Sequence, residues 1–486
     1  MRVTLVAIGL VACGGGDPGP TGLLTATVTH YDYTFDVDSR AAHSTVTATV
    51  DTPGNCFELP FRASAFDGDT ALVDGEPFGD GSIVTNTSVT LCGRSHAIGD
   101  TITIDGDMTV PASTIENSQV GYSVTPDRDG NELHYLVSWV DGCDKFGPCD
   151  NRPDQFATYH FDVTHSADLM VACPGDIVED STTETECTFD FEGGPTYSTF
   201  GLAAYPRVAW PATDEGMWGG VHVTVYDRAS TGITAAIDPA YHAGYLTWMQ
   251  SQLGPFPFGS ELRVLTAPTY WSGFEHPGNI MLDDNLASEA HPIYADNVQH
   301  VLDHEMAHQW AGDQTTLADT YDFVWKESMA EYFAYVYEDM TRPATGAVTS
   351  AAWKELSSTA RFFPVPDDKP DLFTYYGDVY GPGPMVLFRQ LEALTSRDAV
   401  LAALKMVLGT PHALSVDELV SALEITTGLD LGAYTAAWIH GTGRPVWPTV
   451  QLTFTPATPT ATLAVHVATA SNRLCKFHVA LHGANA

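Results

Sequence analysis

An H-E-x-x-H pattern at residues 304–308 constrains the fold of this chain more than any other feature of its sequence. On an α-helix the pattern places His304 and His308 one turn apart on a single face, within reach of one metal ion, with Glu305 beside that metal as a general base. No proline or glycine interrupts residues 297–310, and apolar residues recur there at every fourth position. The sequence therefore predicts a helix that carries two zinc ligands.

A second helical pattern supplies the third ligand. It includes Trp325 and Glu327, and eighteen residues separate Glu327 from His308. Two histidines and one glutamate leave the fourth position of a tetrahedral zinc open to water, which is typical of a catalytic site and not of a structural one. The alternative, a histidine pair that is exposed or satisfied within a core, gives no reason for the second segment.

Length and charge restrict the protein class. The chain has 486 residues and a formal net charge of −40. The length suggests about three domains, and the negative charge argues against nucleic acid and anionic lipid as partners while favouring cationic substrates. A salt-adapted or highly soluble secreted protein would show the same charge, so the charge alone does not identify a substrate.

Secondary-structure patterns divide the chain into regions. Apolar and polar residues alternate through residues 24–200, which predicts an all-β domain. Helical periodicity follows at 238–253 and dominates residues 297–440. Alternation returns at 450–454 and 461–467, which predicts a small β unit.

The N-terminus and the cysteines predict export. Arg2, an apolar run and Leu10-Val11-Ala12-Cys13 resemble a bacterial lipoprotein signal, with Cys13 as the lipidated residue. The alternative is a core strand that ends in an ordinary cysteine. Six of the remaining cysteines lie before residue 190, and pairing of sequence neighbours is the simplest of their possible arrangements, with Cys475 left over. The predicted pairs are 56–92, 143–149 and 173–187.

The two zinc segments together resemble the aminopeptidase N family of zinc peptidases, the gluzincins that include leukotriene hydrolase. That family carries H-E-x-x-H, eighteen residues and a glutamate in a W-x-N-E-G-F-A-E-like stretch. This chain reads W-K-E-S-M-A-E-Y there, with Lys326 for the usual Asn and Ser328 for the usual Gly. Neither is a ligand. A P-C-x-D-x-P-like stretch within residues 147–154 extends the resemblance towards the N-terminus.

The resemblance implies an α+β multidomain fold with one Zn²⁺ per chain. The regions are then a signal and tether (1–23), an N-terminal all-β domain (24–200), a thermolysin-like α+β zinc peptidase domain (201–445) and a short C-terminal β segment (446–486). Family members usually continue into a longer C-terminal part, so substrate recognition by such a part is not expected here.

Upstream of the zinc helix, residues 271–278 resemble the family's G-x-M-E-N signature. The resemblance implies that Gly273 and Phe274 lie along the substrate and that Glu275 binds its free α-amine, which makes the enzyme an exopeptidase. His276 replaces the usual Asn. It either hydrogen-bonds to the substrate or caps the turn.

Downstream, residues 378–387 stand where the family has V-Y-x-K-G-A-x-V-L. The resemblance implies that Tyr380 donates a hydrogen bond to the oxyanion, with Tyr375 and Tyr376 as competing phenols. Glu331, one turn after Glu327, is either a carboxylate that supports the zinc ligands or a solvated helix residue.

The predicted function is that of a zinc aminopeptidase, which acts on peptides with a free N-terminus and sits in the bacterial cell envelope through a lipid on Cys13. Two alternatives remain: epoxide hydrolysis of the leukotriene hydrolase kind, and a non-catalytic surface binding protein on the same fold. The complete set His304, Glu305, His308 and Glu327 argues against a non-catalytic protein.

Overall fold

The structure, a computed structural model, describes most of the chain. The described residues are 19–61, 66–112, 120–191, 194–195, 201–290, 292–380, 386–446, 449–457 and 460–468. The fold is α+β and multidomain, with a β-rich N-terminal domain ahead of a sheet-and-helix domain, as predicted.

The N-terminal domain consists of strands. They are β1 (Thr25–Asp36), β2 (Ala41–Thr52), β3 (Gly54–Pro60), β4 (Leu72–Val73), β5 (Glu76–Pro77), β6 (Ile83–Val84), β7 (Ser88–His96), β8 (Thr101–Thr109), β9 (Gly121–Pro126), β10 (Glu132–Val137), β11 (Thr158–Thr164), β12 (Leu169–Ala172), β13 (Asp176–Asp180), β14 (Glu184–Phe189) and β15 (Ala203–Pro206). Their sheets run β13-β14-β11-β1-β2-β8-β4-β5, β12-β15-β10-β9 and β3-β7-β6.

Aromatic side chains form the core of the large sheet. Successive side chains of a strand point to opposite faces, so every second residue is buried. The buried aromatic residues of β1 are Tyr31, Tyr33 and Phe35. The parallel pairing of β1 with β11 sets Tyr31 opposite Tyr159, with the two rings stacked 5.1 Å apart. The alternation seen in the sequence therefore corresponds to one buried face of this sheet.

Three disulfides cross-link the N-terminal domain, and all three predicted pairings of sequence neighbours are confirmed. They join Cys56 to Cys92, Cys143 to Cys149 and Cys173 to Cys187. Cys13 and Cys475 lie outside the described residues, so the lipid anchor and the fate of the last cysteine stay predictions.

The second domain begins with a five-stranded sheet and continues mainly as helices. The sheet runs β16-β17-β18-β20-β19, with β16 (Ala212–Trp218), β17 (Val221–Tyr226), β18 (Glu261–Ala267), β19 (Gly273–His276) and β20 (Asn279–Asp283). The helices are α1 (Ile233–Ala236), α2 (Pro239–Leu253), α3 (Asn297–His308), α4 (Phe323–Thr341), α5 (Pro343–Ser357), α6 (Leu372–Tyr380), α7 (Val386–Leu394), α8 (Arg397–Val407), α9 (Val416–Thr427) and α10 (Gly432–Trp438).

Short strands complete this domain: β21 (Thr315–Leu317), β22 (Val365–Pro366), β23 (His412–Leu414) and β24 (His440–Gly441). β21 pairs with β23, and β22 with β24. The C-terminal hairpin is β25 (Thr449–Thr455) and β26 (Thr462–Ala468), and every residue of β25 is exposed. Among the described residues, no helix is both long and apolar enough to cross a bilayer.

An apolar cluster joins the two domains beside the edge strand β19. Leu133 and Tyr135 of β10 pack there with Phe274 of β19 and Met281 of β20, and all four side chains are buried. β19 pairs antiparallel with β20 at the sheet edge. The edge strand that carries Glu275 is therefore supported by the N-terminal domain.

Helix α3 starts where the sequence predicts. The side chain of Asp296 accepts a hydrogen bond from the backbone N–H of Gln299, which satisfies one of the donors left open at a helix start. The helix is buried from Val298 to His308 and packs against α4 and β19. A helix enclosed on all sides holds its polar side chains in fixed positions, which suits a metal site.

Candidate active site

The predicted zinc ligands converge at one point between α3 and α4. Nε2 of His304 lies 2.9 Å from Nε2 of His308, and Oε2 of Glu327 lies 3.4 Å and 3.7 Å from these two nitrogens. Zinc–ligand bonds of about 2.0–2.1 Å in a tetrahedron place the ligand atoms roughly 3.3 Å apart. The three donor atoms therefore fit the edges of one zinc coordination tetrahedron.

The hydrogen-bond partner of Nδ1 shows which nitrogen of the His308 ring faces the metal site. Nδ1 of His308 lies 2.9 Å from the carbonyl oxygen of Ala311, which can only accept a hydrogen bond. Nδ1 must therefore carry the proton, which leaves Nε2 of a neutral ring with a lone pair for a metal. For His304, Nδ1 lies 3.5 Å from Oε1 of Glu331, and burial together with His308 lowers its pKa. A neutral pair of rings is the form that binds zinc.

Glu305 lies beside this triad and is buried. A Cβ atom at Gly273 would lie 2.3 Å from its Oε1, so only a glycine on β19 leaves room for this carboxylate. Burial and the neighbouring carboxylates Glu275 and Glu327 raise the pKa of Glu305 well above its usual value. Gly273 makes space for Glu305, which sequence reasoning did not anticipate.

The predicted amine anchor, Glu275, reaches the same place. Ligand atoms of Glu275, Glu305 and His308 all lie within 4.8 Å of one another. Phe274 points to the other face of β19, as strand geometry requires, and is buried in the apolar cluster between the domains. The structure therefore brings Gly273 and Glu275 to the site, whereas the side chain of Phe274 belongs to the core.

Glu275 already has a cationic partner. Nζ of Lys326 lies 2.6 Å from Oε1 of Glu275 and 2.9 Å from Oε1 of Glu327. Burial raises the pKa of both carboxyl groups, but the Lys326 ammonium and the neighbouring His308 together outweigh it and hold both below their usual values. Sequence reasoning treated Lys326 only as a substitute for Asn. Its position beside a metal ligand on a buried helix was the signal that could have identified it.

His276 has a contact that neither predicted role explains. The ring is fully buried and burial lowers its pKa to about 4, so it is neutral near pH 7. Its Nε2 accepts a hydrogen bond of 3.3 Å from the backbone N–H of Ser138, which follows β10. A Cβ at Gly201 would collide with this ring. His276 therefore ties β19 to the N-terminal domain.

Glu331 is a buried residue, and the solvated alternative is wrong. It accepts hydrogen bonds from the hydroxyl of Tyr294 at 2.6 Å and from Nε1 of Trp353 at 3.1 Å. His300 lies between Glu331 and Glu338, at 2.9 Å and 2.8 Å. Burial opposes both shifts, but the carboxylates raise the pKa of His300 to about 10, and His300, helped by His304 and Tyr294, lowers that of Glu331 to about 2.

Of the three candidate oxyanion donors, Tyr375, Tyr376 and Tyr380, the structure describes the side chains of the first two. The backbone of Tyr380 ends α6, but its side chain lies outside the described part of the structure, so its role stays a prediction. The Tyr375 hydroxyl donates to the carbonyl of Pro364. Tyr376 packs edge-on against Trp139 and Trp271, with ring centroids 4.6 Å and 4.8 Å apart. Tyr375 is therefore engaged in a structural hydrogen bond.

Comparison with known proteins identifies the domain. Residues 243–435 match the model of the peptidase family M1 domain, and this range contains the zinc triad, Glu275 and Glu305. No curated protein gives a significant match.

Solved structures match over most of the chain. A mutant M1 zinc metallopeptidase from Deinococcus radiodurans, bound to a Tyr-Ser-Ala substrate, superposes with a TM-score of 0.68 at 20% identity, over 85% of this chain and 94% of that one. A mutant two-domain M1 zinc metallopeptidase bound to L-arginine gives 0.67 at 21% identity, over 86% and 95%. Residues 243–435 thus match the peptidase family M1 domain, and the chain has the fold of the M1 zinc metallopeptidases, the aminopeptidase N family.

Proposed function

We propose that this protein is a zinc-dependent aminopeptidase, which removes N-terminal residues from peptides. The observation that carries the proposal is the position of Glu275. Its carboxylate lies within 4.8 Å of ligand atoms of Glu305 and His308. A carboxylate so close to the hydrolytic centre suits the binding of an α-ammonium group one residue from the scissile bond.

One zinc ion per chain fits the donor set. His304, His308 and Glu327 would hold it, and their nitrogen and oxygen atoms have the spacing that zinc requires. When bound, zinc polarises a carbonyl group and makes water acidic enough to attack it near neutral pH.

Glu305 is the proposed general base. As water attacks the scissile carbonyl, the Glu305 carboxylate takes up its proton and later delivers it to the leaving amine. Burial and the carboxylates around it raise the pKa of Glu305, which makes its carboxylate a stronger acceptor for that proton. Tyr380 is the proposed donor to the oxyanion, where negative charge develops in the transition state.

Peptides with a free N-terminus are the proposed substrates. The related M1 metallopeptidases are bound to Tyr-Ser-Ala, L-arginine and L-tryptophan. Each of these ligands carries a free α-amine. A cluster with three glutamates, Glu275, Glu305 and Glu327, supports the recognition of such a cation.

An endopeptidase is the second candidate, and one observation favours it. The carboxylate of Glu275 is already paired with Lys326, at 2.6 Å. An anchor with an internal partner discriminates less strongly between free and blocked N-termini. Nothing comparable among the described residues favours epoxide hydrolysis.

The test compares free and blocked substrates. Zinc-loaded protein should hydrolyse leucyl-aminomethylcoumarin faster than its N-acetylated counterpart, by roughly ten- to a hundredfold in kcat/KM, because a charge-assisted contact is lost on acetylation. Glu275→Ala should remove most of this preference and keep zinc bound. The comparison is repeated at high salt, where the bulk negative charge of the protein is screened. Equal rates for both substrates would replace the aminopeptidase by an endopeptidase.

We also propose that the protein is exported and held in the bacterial cell envelope by a lipid on Cys13. Disulfides form and persist in oxidising compartments. The three disulfides of the N-terminal domain support such a location.

A further inference from the structure

Lys326 is the one lysine in the described structure that lies within the active-site cluster. Its side chain is 1% exposed, and its ammonium group bridges the proposed amine anchor Glu275 at 2.6 Å and the proposed zinc ligand Glu327 at 2.9 Å. Glu327 uses its other oxygen, Oε2, towards the two histidines. One ammonium group therefore serves two carboxylates with different tasks.

The surrounding residues are shaped for a lysine. Gly312, four residues after the zinc helix, has a φ of +140°, and a Cβ there would lie 2.8 Å from Cε of Lys326. The ammonium lies 5.0 Å from the centre of the Phe323 ring, within range of a cation–π contact. Burying a charged lysine is costly unless it is paired, and here both partners are carboxylates. The position is thus built around the charge.

We infer that Lys326 is a specificity-determining residue, which stands in for the substrate α-ammonium at Glu275 and so admits peptides without a free amine. The inference rests on the proposed aminopeptidase function. A blocked N-terminus brings no positive charge, and without Lys326 it would leave Glu275 as an unpaired buried carboxylate. With Lys326 in place, Glu275 stays paired in both cases.

The same contact weakens the attraction of a free amine. A carboxylate can accept several hydrogen bonds, so Lys326 and a substrate ammonium can share Glu275. Two ammonium groups on one carboxylate repel each other, which cancels part of the gain. Lys326 therefore lowers the preference for free over blocked substrates in two ways. It keeps Glu275 paired when the substrate is blocked, and it weakens the attraction of Glu275 for a free amine.

A role confined to the metal ligand does not account for the geometry. If Lys326 only steadied Glu327, it would need no ion pair with Glu275. The shorter of its two ion pairs is with Glu275. The two roles also differ in outcome, since steadying a zinc ligand affects free and blocked substrates equally.

The test measures the ratio of kcat/KM for leucyl-aminomethylcoumarin to that for its N-acetylated form. Lys326→Met and Lys326→Gln, both neutral, should raise this ratio about tenfold over the unmodified enzyme, the worth of one charge-assisted contact. The matched control is Lys405→Met, because Lys405 is exposed on α8 and its loss changes the net charge equally. The control should leave the ratio unchanged.

Two further readouts separate this inference from a structural role. In a Glu275→Gln background, Lys326→Met should no longer change the ratio, because the residue acts through Glu275. In zinc-loaded Glu305→Gln protein, calorimetry should show tighter binding of leucinamide, relative to N-acetyl-leucinamide, once Lys326 is neutral. This second measurement needs no turnover.

An unchanged ratio in both neutral variants with zinc retained would overturn the inference. So would a change that persists without Glu275, and so would loss of zinc or of folding in both variants, which would assign Lys326 to Glu327 or to stability. The proposed function fails separately, when the unmodified enzyme cuts both substrates equally. A tenfold gain of preference in Lys326→Met would then still support the role of Lys326.

Discussion

The interface between α3 and α4 holds two clusters in which one cation lies between two glutamates. At the open end, Lys326 lies between Glu275 and Glu327. At the closed end, His300 lies between Glu331 and Glu338. His304 connects the two ends, because it faces both Glu327 and Glu331.

The two clusters differ in how exposed their carboxylates are and in how many of their hydrogen bonds come from protein groups. At the closed end the side chains of Glu331 and Glu338 are 1% and 2% exposed, and Thr349 donates to Glu338 at 2.6 Å. At the open end Glu275 keeps 10% of its side-chain surface exposed. A fully hydrogen-bonded buried network rigidifies a fold, whereas a partly open one can exchange a partner for a ligand. We therefore expect the closed end to govern stability and the open end to govern chemistry.

Glu305→Gln should have the largest effect and should act on chemistry alone. Loss of the general base lowers kcat by roughly 10²–10⁴, while zinc content and melting temperature stay close to those of the unmodified protein. Steady-state hydrolysis of leucyl-aminomethylcoumarin, with zinc measured on the same sample, checks this. Near-native turnover would show that another residue transfers the proton.

His300→Gln should act on stability instead. Removal of the cation leaves two buried carboxylates without the positive charge between them, which destabilises the fold by about 3–5 kcal/mol in denaturant unfolding near pH 7. The folded-state pKa of about 10 lies above the usual 6.5, so this stabilisation is complete below pH 6.5 and is lost as the pH rises towards 10.

The control for this prediction is His43→Gln, because the His43 side chain is 43% exposed on β2. The control should change stability by less than about 0.5 kcal/mol. If the destabilisation by His300→Gln were the same at about pH 6 and about pH 10, the ion pairs of His300 would not be its source.

Glu331→Gln should have the smallest effect of the three substitutions. It should lower zinc affinity at the open end and stability at the closed end. Oε1 of Glu331 lies 3.5 Å from Nδ1 of His304, and carboxylates that orient a zinc-binding histidine are worth about 10- to 100-fold in metal affinity. Competition with a chelator measures this affinity, with His308→Ala as the reference for a lost ligand. Unchanged zinc affinity together with lower stability would assign Glu331 to the closed end alone.

Local periodicity made much of the fold predictable. The helices α2, α3, α8 and α9 and the strands β1, β2 and β11 lie where spacing of apolar residues places them. The zinc triad was equally accessible, because its ligands occupy helical positions at a fixed spacing. The neighbour pairing of cysteines was predictable because two of the three pairs are separated by only 6 and 14 residues along the chain.

The sequence also held a signal that went unused. His300, His304 and His308 follow one another at intervals of four and so share one face of α3. The face of α3 that carries His304 and His308 also carries His300, one turn earlier. The helix that contains Glu327 carries Glu331 and Glu338, which are the partners of His300.

The sequence alone predicted many of the helices and strands and the candidate zinc ligands, because each depends on residues close together in the chain. Only the tertiary structure decided that Lys326 pairs with Glu275, that His276 contacts Ser138, and that Phe274 belongs to the core. These contacts join separate elements, and which charges meet depends on which are buried together. A buried charge must find a partner wherever the fold places one, and no local pattern specifies that partner.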